Sequence, residues 1–132
     1  NALVMIAPAM YVGQAFTVPF GPAFSAIIRR HESWRDSDAF DILRRFGGRV
    51  LIVAGEEDRT IPAGVIEACA DAMPSDCSAV ISLPGVDHFV MSRLRAGPAD
   101  RLAGILDRMA AALLGDDQGC ASAISAPGRA EA

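Results

Sequence analysis

The chain has 132 residues, of which 52% are hydrophobic and 21% are charged, and its formal net charge is -4. This length suits one domain with a single core. All 12 basic side chains are arginines, and they are scattered rather than clustered, which argues against a nucleic-acid partner.

Three cysteines, Cys69, Cys77 and Cys120, form no C-x-x-C pair. Their odd number argues against a disulfide framework, their spacing argues against a zinc site, and both features favour a reducing compartment. No apolar stretch approaches the roughly 20 residues that a bilayer span requires. We therefore expect a cytoplasmic protein with no membrane partner.

The first predicted element is a strand over residues 2–7, a short and continuously apolar run that ends at Pro8. Such runs are typical of parallel sheets that are covered on both faces. Because Asn1 leads directly into this strand, we expect a segment to precede it. Residues 8–36 have no steady period and are expected to form a connecting excursion, with a short helix at 23–30.

Ser37 is predicted to cap a helix that runs to about Phe46 and stops at the glycine pair 47–48. Its predicted apolar face consists of Ile42, Leu43 and Phe46. A second strand, "RVLIVAG", follows at once over residues 49–55.

The rest of the chain alternates in the same way. Pro62 suits the first turn of a helix that ends before Pro74, and its apolar positions include Cys69. A third strand is predicted over 78–85, and a last helix over 98–114 is expected to bury Leu102, Ile105, Leu106, Met109 and Leu113. Residues 115–132 are small, polar and without period, so a disordered tail is predicted. Alternating strands and helices predict an α/β fold, a three-layer sandwich with a parallel sheet.

Two polar residues follow successive strands of this predicted sheet. Asp58 comes just after the second strand, and His88 follows the third. The carboxyl ends of parallel strands meet at one edge, and neighbouring strands lie about 4.8 Å apart, so the two side chains can reach each other. The carboxylate would then fix the imidazole tautomer and stabilise the imidazolium.

Simpler roles remain open for each residue taken alone, because an aspartate after a strand often forms a turn and a single histidine is often structural. Asp87 adjoins His88 and could compete as its acid, although we expect it to order the loop. His31 is expected on the surface. Arg29 and Arg30 could bind an anionic substrate group or simply form a solvated face.

The stretch "RVLIVAGEEDRTIP", followed by a helix, a strand and "LPGVDHFV", resembles the carboxyl-terminal part of the α/β-hydrolase fold. In that family a G-x-x-D loop supplies the acid of a catalytic triad and a G-x-x-H loop supplies its histidine, in this chain order. The resemblance covers about residues 1–114. It implies that Asp58 and His88 are catalytic and that 8–36 is a lid-like insertion.

The chain departs from the family pattern in lacking the G-x-S-x-G elbow that carries the nucleophile. Ser25, Ser33 and Ser92 have no flanking small residues of the kind that this turn requires. We therefore expect the nucleophilic serine, and the donors of the oxyanion hole, to lie upstream of Asn1.

The resemblance implies a serine-type hydrolase that acts on an ester, a thioester or a related acyl bond, with no metal and no cofactor. Its partners would be a small acyl substrate and the amino-terminal remainder of the same domain. The residues expected to line a substrate pocket are Met10, Tyr11, Phe16, Phe20 and Phe24; the alternative is that they pack over the sheet edge.

Two other classes of function are alternatives to the hydrolase. One is a catalytically silent α/β interaction module that pairs through the exposed edge of its first strand. The other is nucleotide binding on a Rossmann-like sheet, which is disfavoured because the chain has neither G-x-G-x-x-G nor a P-loop. The sequence leaves the oligomeric state open.

Overall fold

The computed structural model describes residues 1–74 and 78–115. Three strands, β1 (Ala2–Ile6), β2 (Arg49–Gly55) and β3 (Ser78–Leu83), form a parallel sheet in the order β1-β2-β3. The register aligns Ile6 with Val53 and Val53 with Ile81, so the strands end close together at one edge. The predicted α/β class with a parallel sheet is confirmed.

Five α-helices are described: α1 (Pro22–Ile28), α2 (Ala39–Arg44), α3 (Ala63–Ala72), α4 (Val90–Ala96) and α5 (Ala99–Leu114). Two 3-10 helices, Gly13–Thr17 and Ser33–Asp36, flank α1 within the connection from β1 to β2. The Ser37 hydroxyl accepts a hydrogen bond from the Ala39 backbone N–H at 3.3 Å, at the start of α2. The seven-residue helix α4 was not expected from the sequence.

The core lies on both faces of the sheet because β2 alternates its side chains between them. Val50, Ile52 and Ala54 pack with residues of α2 and α3, whereas Leu51 and Val53 pack with residues of α4 and α5. Cys69 is fully buried in the first cluster, as predicted. Each fully buried aliphatic side chain of β2 contributes roughly 1.5–3 kcal/mol to the free energy of folding. Helices therefore cover both faces, an arrangement compatible with the predicted sandwich.

The buried face of α5 differs from the expected one. Ile105 and Ala112 are buried and Leu102 and Met109 are partly buried, but Leu106 and Leu113 are 44% and 49% exposed. A prediction based on hydrophobicity places the leucines on the buried face of α5. In the structure the face of α5 that packs in the core is narrow, and the small Ala112 lies on it. The expectation for Ile42 on α2 was wrong in the same way, because this side chain is exposed while Leu43 is buried.

No helix among the described residues is long and apolar enough to cross a membrane. Of the predicted tail, only Gly115 falls within the described part of the chain. Cys77 and Cys120 also lie outside it.

Candidate active site

Asp58 is held by the turn that follows β2. One carboxylate oxygen, Oδ1, accepts hydrogen bonds from the backbone N–H groups of Thr60 and Ile61 at 2.8 and 2.9 Å. This pattern is an Asx turn, in which the side chain replaces a backbone acceptor. The second oxygen, Oδ2, lies 2.9 Å from Nδ1 of His88. The structure thus brings the two predicted residues together, and each oxygen of the carboxylate has its own partner.

Burial opposes ionisation of Asp58, but the hydrogen bonds from Ile61, His88 and Thr60 outweigh it and lower the pKa of the carboxyl group below its ordinary value. The Asp58 side chain is only 6% exposed. A buried, ionised carboxylate that accepts from Nδ1 favours the tautomer with the proton on Nδ1. The lone pair is then on Nε2.

His88 sits on a loop that turns at Gly85, whose φ of 69° lies in the left-handed region that favours glycine. The neighbouring Asp87 does not compete for the imidazole. Its carboxylate accepts from the Phe89 backbone N–H at 3.0 Å and forms an ion pair with Arg93 of α4. The interaction with Arg93 lowers the pKa of Asp87. Asp87 therefore ties the histidine loop to α4.

The loop that carries Asp58 and the loop that carries His88 are joined by backbone hydrogen bonds. Glu56 N–H donates to the Leu83 carbonyl at 3.1 Å, and Glu57 N–H donates to the Val86 carbonyl at 3.0 Å. A Cβ on Gly55 would collide with the Val86 carbonyl and would lie 2.7 Å from that of Asp87. The glycine of the G-x-x-D sequence therefore permits the contact between the loops.

The imidazole ring is 32% exposed and borders a cleft of about 300 Å³. The other residues that line this cleft are Ile6, Ala7, Phe89, Val90, Met91 and Ser92. Within residues 1–74 and 78–115, no group forms a hydrogen bond with Nε2 of His88. This nitrogen is therefore available to accept a proton from a group outside the pair.

Ala7 follows β1 at the edge of this cleft and has a φ of 44°. Its N–H donates to the Val53 carbonyl at 2.9 Å, which holds it against β2. A left-handed conformation costs an alanine roughly 1–2 kcal/mol. Neither this position nor Arg93 was identified from the sequence. The one sequence signal for the helix that carries Arg93 is the spacing of Val90 and Leu94, which is too short to predict a helix.

The aromatic residues predicted to bind substrate do not border the His88 cleft. Tyr11, Phe16, Phe20 and Phe24 surround a separate cavity of about 170 Å³. Their rings make edge contacts, with centroid distances of 4.8 Å for Phe20 and Phe24 and 5.4 Å for Tyr11 and Phe24. Phe16 and Phe20 are 72% and 89% exposed. Met10 lies elsewhere, beside Thr60 and Ile61.

The other candidates occupy varied positions. Ser33 Oγ donates to the Ile28 carbonyl at 3.2 Å, whereas Ser92 borders the His88 cleft. His31 is exposed, as expected. In the described part of the chain, no group of three or more His, Cys, Asp and Glu side chains is placed to hold a metal ion.

Comparison with protein-family models, with curated proteins and with solved structures finds no match to this chain. The paired loops around Asp58 and His88 are therefore the feature on which a function can be proposed.

Proposed function

We propose that this chain supplies the acid and the base of a serine-type hydrolase that cleaves an ester, a thioester or a related acyl bond, and that its fold is the carboxyl-terminal part of an α/β hydrolase. The observation that carries the proposal is the 2.9 Å contact between His88 Nδ1 and a buried carboxylate oxygen of Asp58, with the ring beside an open cleft. An acid, a base and access for a substrate are three of the features that such an enzyme requires.

In the proposed reaction, Nε2 of His88 takes the hydroxyl proton of a serine as that oxygen attacks the acyl carbon. Asp58 stabilises the imidazolium that forms. The imidazolium then gives its proton to the leaving alcohol or thiol as the bond to the acyl carbon breaks. A water molecule, activated by the same nitrogen, hydrolyses the acyl-serine and restores the serine.

The sequence contains no G-x-S-x-G element, so the proposal places the serine on a polypeptide segment outside these 132 residues. The position of β1 supports this. Among the described residues β1 pairs with β2 alone, and its carboxyl end at Ile6 and Ala7 borders the His88 cleft. A parallel strand added to β1 would lie about 4.8 Å away, and a residue at its end would approach this cleft.

The test is labelling by a fluorophosphonate and hydrolysis of p-nitrophenyl esters, measured on the natural polypeptide that contains this sequence. We expect His88→Gln and Asp58→Asn to lower kcat by orders of magnitude without large changes in KM. The matched control is Asp107→Asn, which changes an exposed carboxylate of α5 and should retain activity. Full activity in both His88→Gln and Asp58→Asn would overturn the proposal.

A second candidate is a catalytically silent module that associates through the open edge of β1. Two observations favour it: β1 has one strand neighbour in the described part of the sheet, and α5, which packs on β1, leaves Leu106 and Leu113 exposed. Ala7 N–H and Asn1 C=O bond to β2, so by alternation the N–H of Val4 points to the open edge.

Val4→Pro therefore removes an edge donor and leaves the β1–β2 ladder intact, whereas Met5→Pro removes a donor that faces β2. Under this candidate, light scattering should show association that Val4→Pro abolishes, with no labelling by fluorophosphonate. Labelling that depends on His88 would exclude a silent module.

A further inference from the structure

Another cavity, of about 700 Å³, lies between the 8–36 connection and the start of α3. Met10, Trp34, Ile61 and Val65 line it and pack with the core cluster on the α3 face of the sheet. None of its lining residues borders the His88 cleft. Its volume falls within the range that accommodates small organic ligands.

Arginine side chains also line this cavity. Arg35 is paired with Glu32 through two hydrogen bonds of 2.8 and 2.9 Å, and its guanidinium lies 4.5 Å from the centre of the Trp34 ring. Arg30 donates instead to the neutral side-chain oxygen of Gln14 at 2.9 Å. Within residues 1–74 and 78–115, no carboxylate lies within ion-pair distance of Arg29 or Arg30. Two positive charges therefore remain without an anion.

The protein as a whole has a net charge of -4, so the two positive charges of Arg29 and Arg30 are opposite in sign to the net charge of the protein. The first turn of α3 also lines the cavity, through Pro62, Gly64 and Val65. An apolar wall in the same cavity as two arginine side chains suits a ligand that has both an apolar body and an anionic group.

We propose that this cavity binds a small organic anion, with a carboxylate or phosphate group at Arg29 and Arg30 and an apolar body against Trp34 and Met10. This site is separate from the Asp58 and His88 pair and does not depend on the hydrolase proposal. Thr60 and Ile61, the residues whose N–H groups hold Asp58, also line this cavity.

Trp34 is the only tryptophan of the chain, so its fluorescence reports directly on the cavity. The first probe is 4-phenylbutyrate, compared with the uncharged 4-phenylbutanol. We expect the anion to change the Trp34 emission saturably and to bind at least about fivefold more tightly than the alcohol. Raising the salt concentration from about 0.05 to about 0.3 M should weaken binding of the anion alone. The phosphate monoester of 4-phenylbutanol then shows which head group the arginines prefer.

The double variant R29Q/R30Q should bind 4-phenylbutyrate at least about fivefold more weakly. Its matched control is R95Q/R108Q, which removes the same charge from α4 and α5 and should bind as the unchanged protein does. Because Trp34→Phe removes the tryptophan fluorescence, binding of 4-phenylbutyrate to this variant is measured by calorimetry. This measurement separates loss of the fluorescence signal from loss of binding.

Equal binding of the anion and the alcohol would overturn the proposal, as would equal affinity of the two double variants. Failure of 4-phenylbutyrate to bind below about 10 mM would also overturn it. Because every readout is binding, these outcomes are independent of whether the protein hydrolyses esters.

Discussion

The carbonyl oxygen of Val86 occupies the space that a side chain at Gly55 would need. At this close approach, a backbone hydrogen bond from the Glu57 N–H to the Val86 carbonyl joins the loop after β2 to the loop after β3. The separation of Asp58 and His88 is therefore set by main-chain contact and not only by the two side chains.

Gly55→Ala is expected to force the two loops apart and to lower the free energy of unfolding by about 2–4 kcal/mol, the cost of a steric clash in a packed region. Urea unfolding provides the measurement. Gly47→Ala is the control, because a Cβ there meets no atom within 4 Å, and it should change the stability by less than about 1 kcal/mol. Equal effects of the two substitutions would show that the loops are not in steric contact.

The tautomer of His88 follows from its hydrogen bond with Asp58. Above about pH 8, where an ordinary imidazole is neutral, long-range ¹⁵N–¹H NMR spectra should show the proton on Nδ1 of His88. His31, the only other histidine of the sequence, is exposed and serves as an internal reference. Asp58→Asn should shift His88 alone. If His88 and His31 gave the same pattern in the unchanged protein, the contact would not exist in solution.

The lowered pKa of Asp58 makes stability depend on pH in a defined direction. In the unfolded chain an aspartate titrates near about 3.9, so the unfolded state takes up the proton first as the pH falls. The stabilisation from ionised Asp58 is thus complete above about pH 5 and is lost as the pH drops through the folded-state pKa.

Urea midpoints measured from about pH 7 to about pH 2 should therefore converge for the unchanged protein and Asp58→Asn. Part of the acid sensitivity will remain in the variant, because the pKa of Asp87 is lowered as well. A stability difference that stayed constant over this range would contradict the lowered pKa of Asp58.

Arg49 is a buried cation at the start of β2, and its Nε donates to the carbonyl oxygen of Ala112 in the last turn of α5 at 2.8 Å. Arg49→Met should preserve the aliphatic packing but leave this carbonyl without its donor, which costs about 1.5–3 kcal/mol. Thermal and urea unfolding would measure the loss. Arg95→Met, at an exposed position of α4, should stay within about 0.5 kcal/mol of the unchanged protein.

The sequence predicted the three strands because β1 and β2 contain continuous apolar runs and because all three strands end at or close to a glycine or a proline, a local signal that tertiary contacts did not override. It also predicted that Asp58 and His88 lie close together, since the ends of neighbouring parallel strands share one edge. The tie between Asp87 and Arg93 depends on α4, which is only two turns long and offers a single apolar repeat, Val90 and Leu94. Such a short pattern hardly differs from that of a loop.

The aromatic residues of 8–36 show a different limit of prediction from the sequence. The family resemblance implied that 8–36 is a lid-like insertion whose aromatic residues could line a substrate pocket, but a resemblance does not give the path of this segment. In the structure Tyr11 and Phe24 face other aromatic rings, whereas Met10 lies beside the Asp58 turn. Their role in binding a substrate stays a prediction. The cavity near Arg29 and Arg30 likewise depends on how 8–36 folds against α3, which is set by packing of Trp34 on Gly64.

Thirty positions separate Asp58 from His88, and the chain between them forms α3 and β3. The two groups can meet only after β2, α3 and β3 have assembled. In a chain that has not completed this assembly, Asp58 does not hold the imidazole of His88. The orientation and the tautomer of His88 are therefore acquired with the tertiary structure, and any reactivity of the pair would arise only once β2 and β3 have paired.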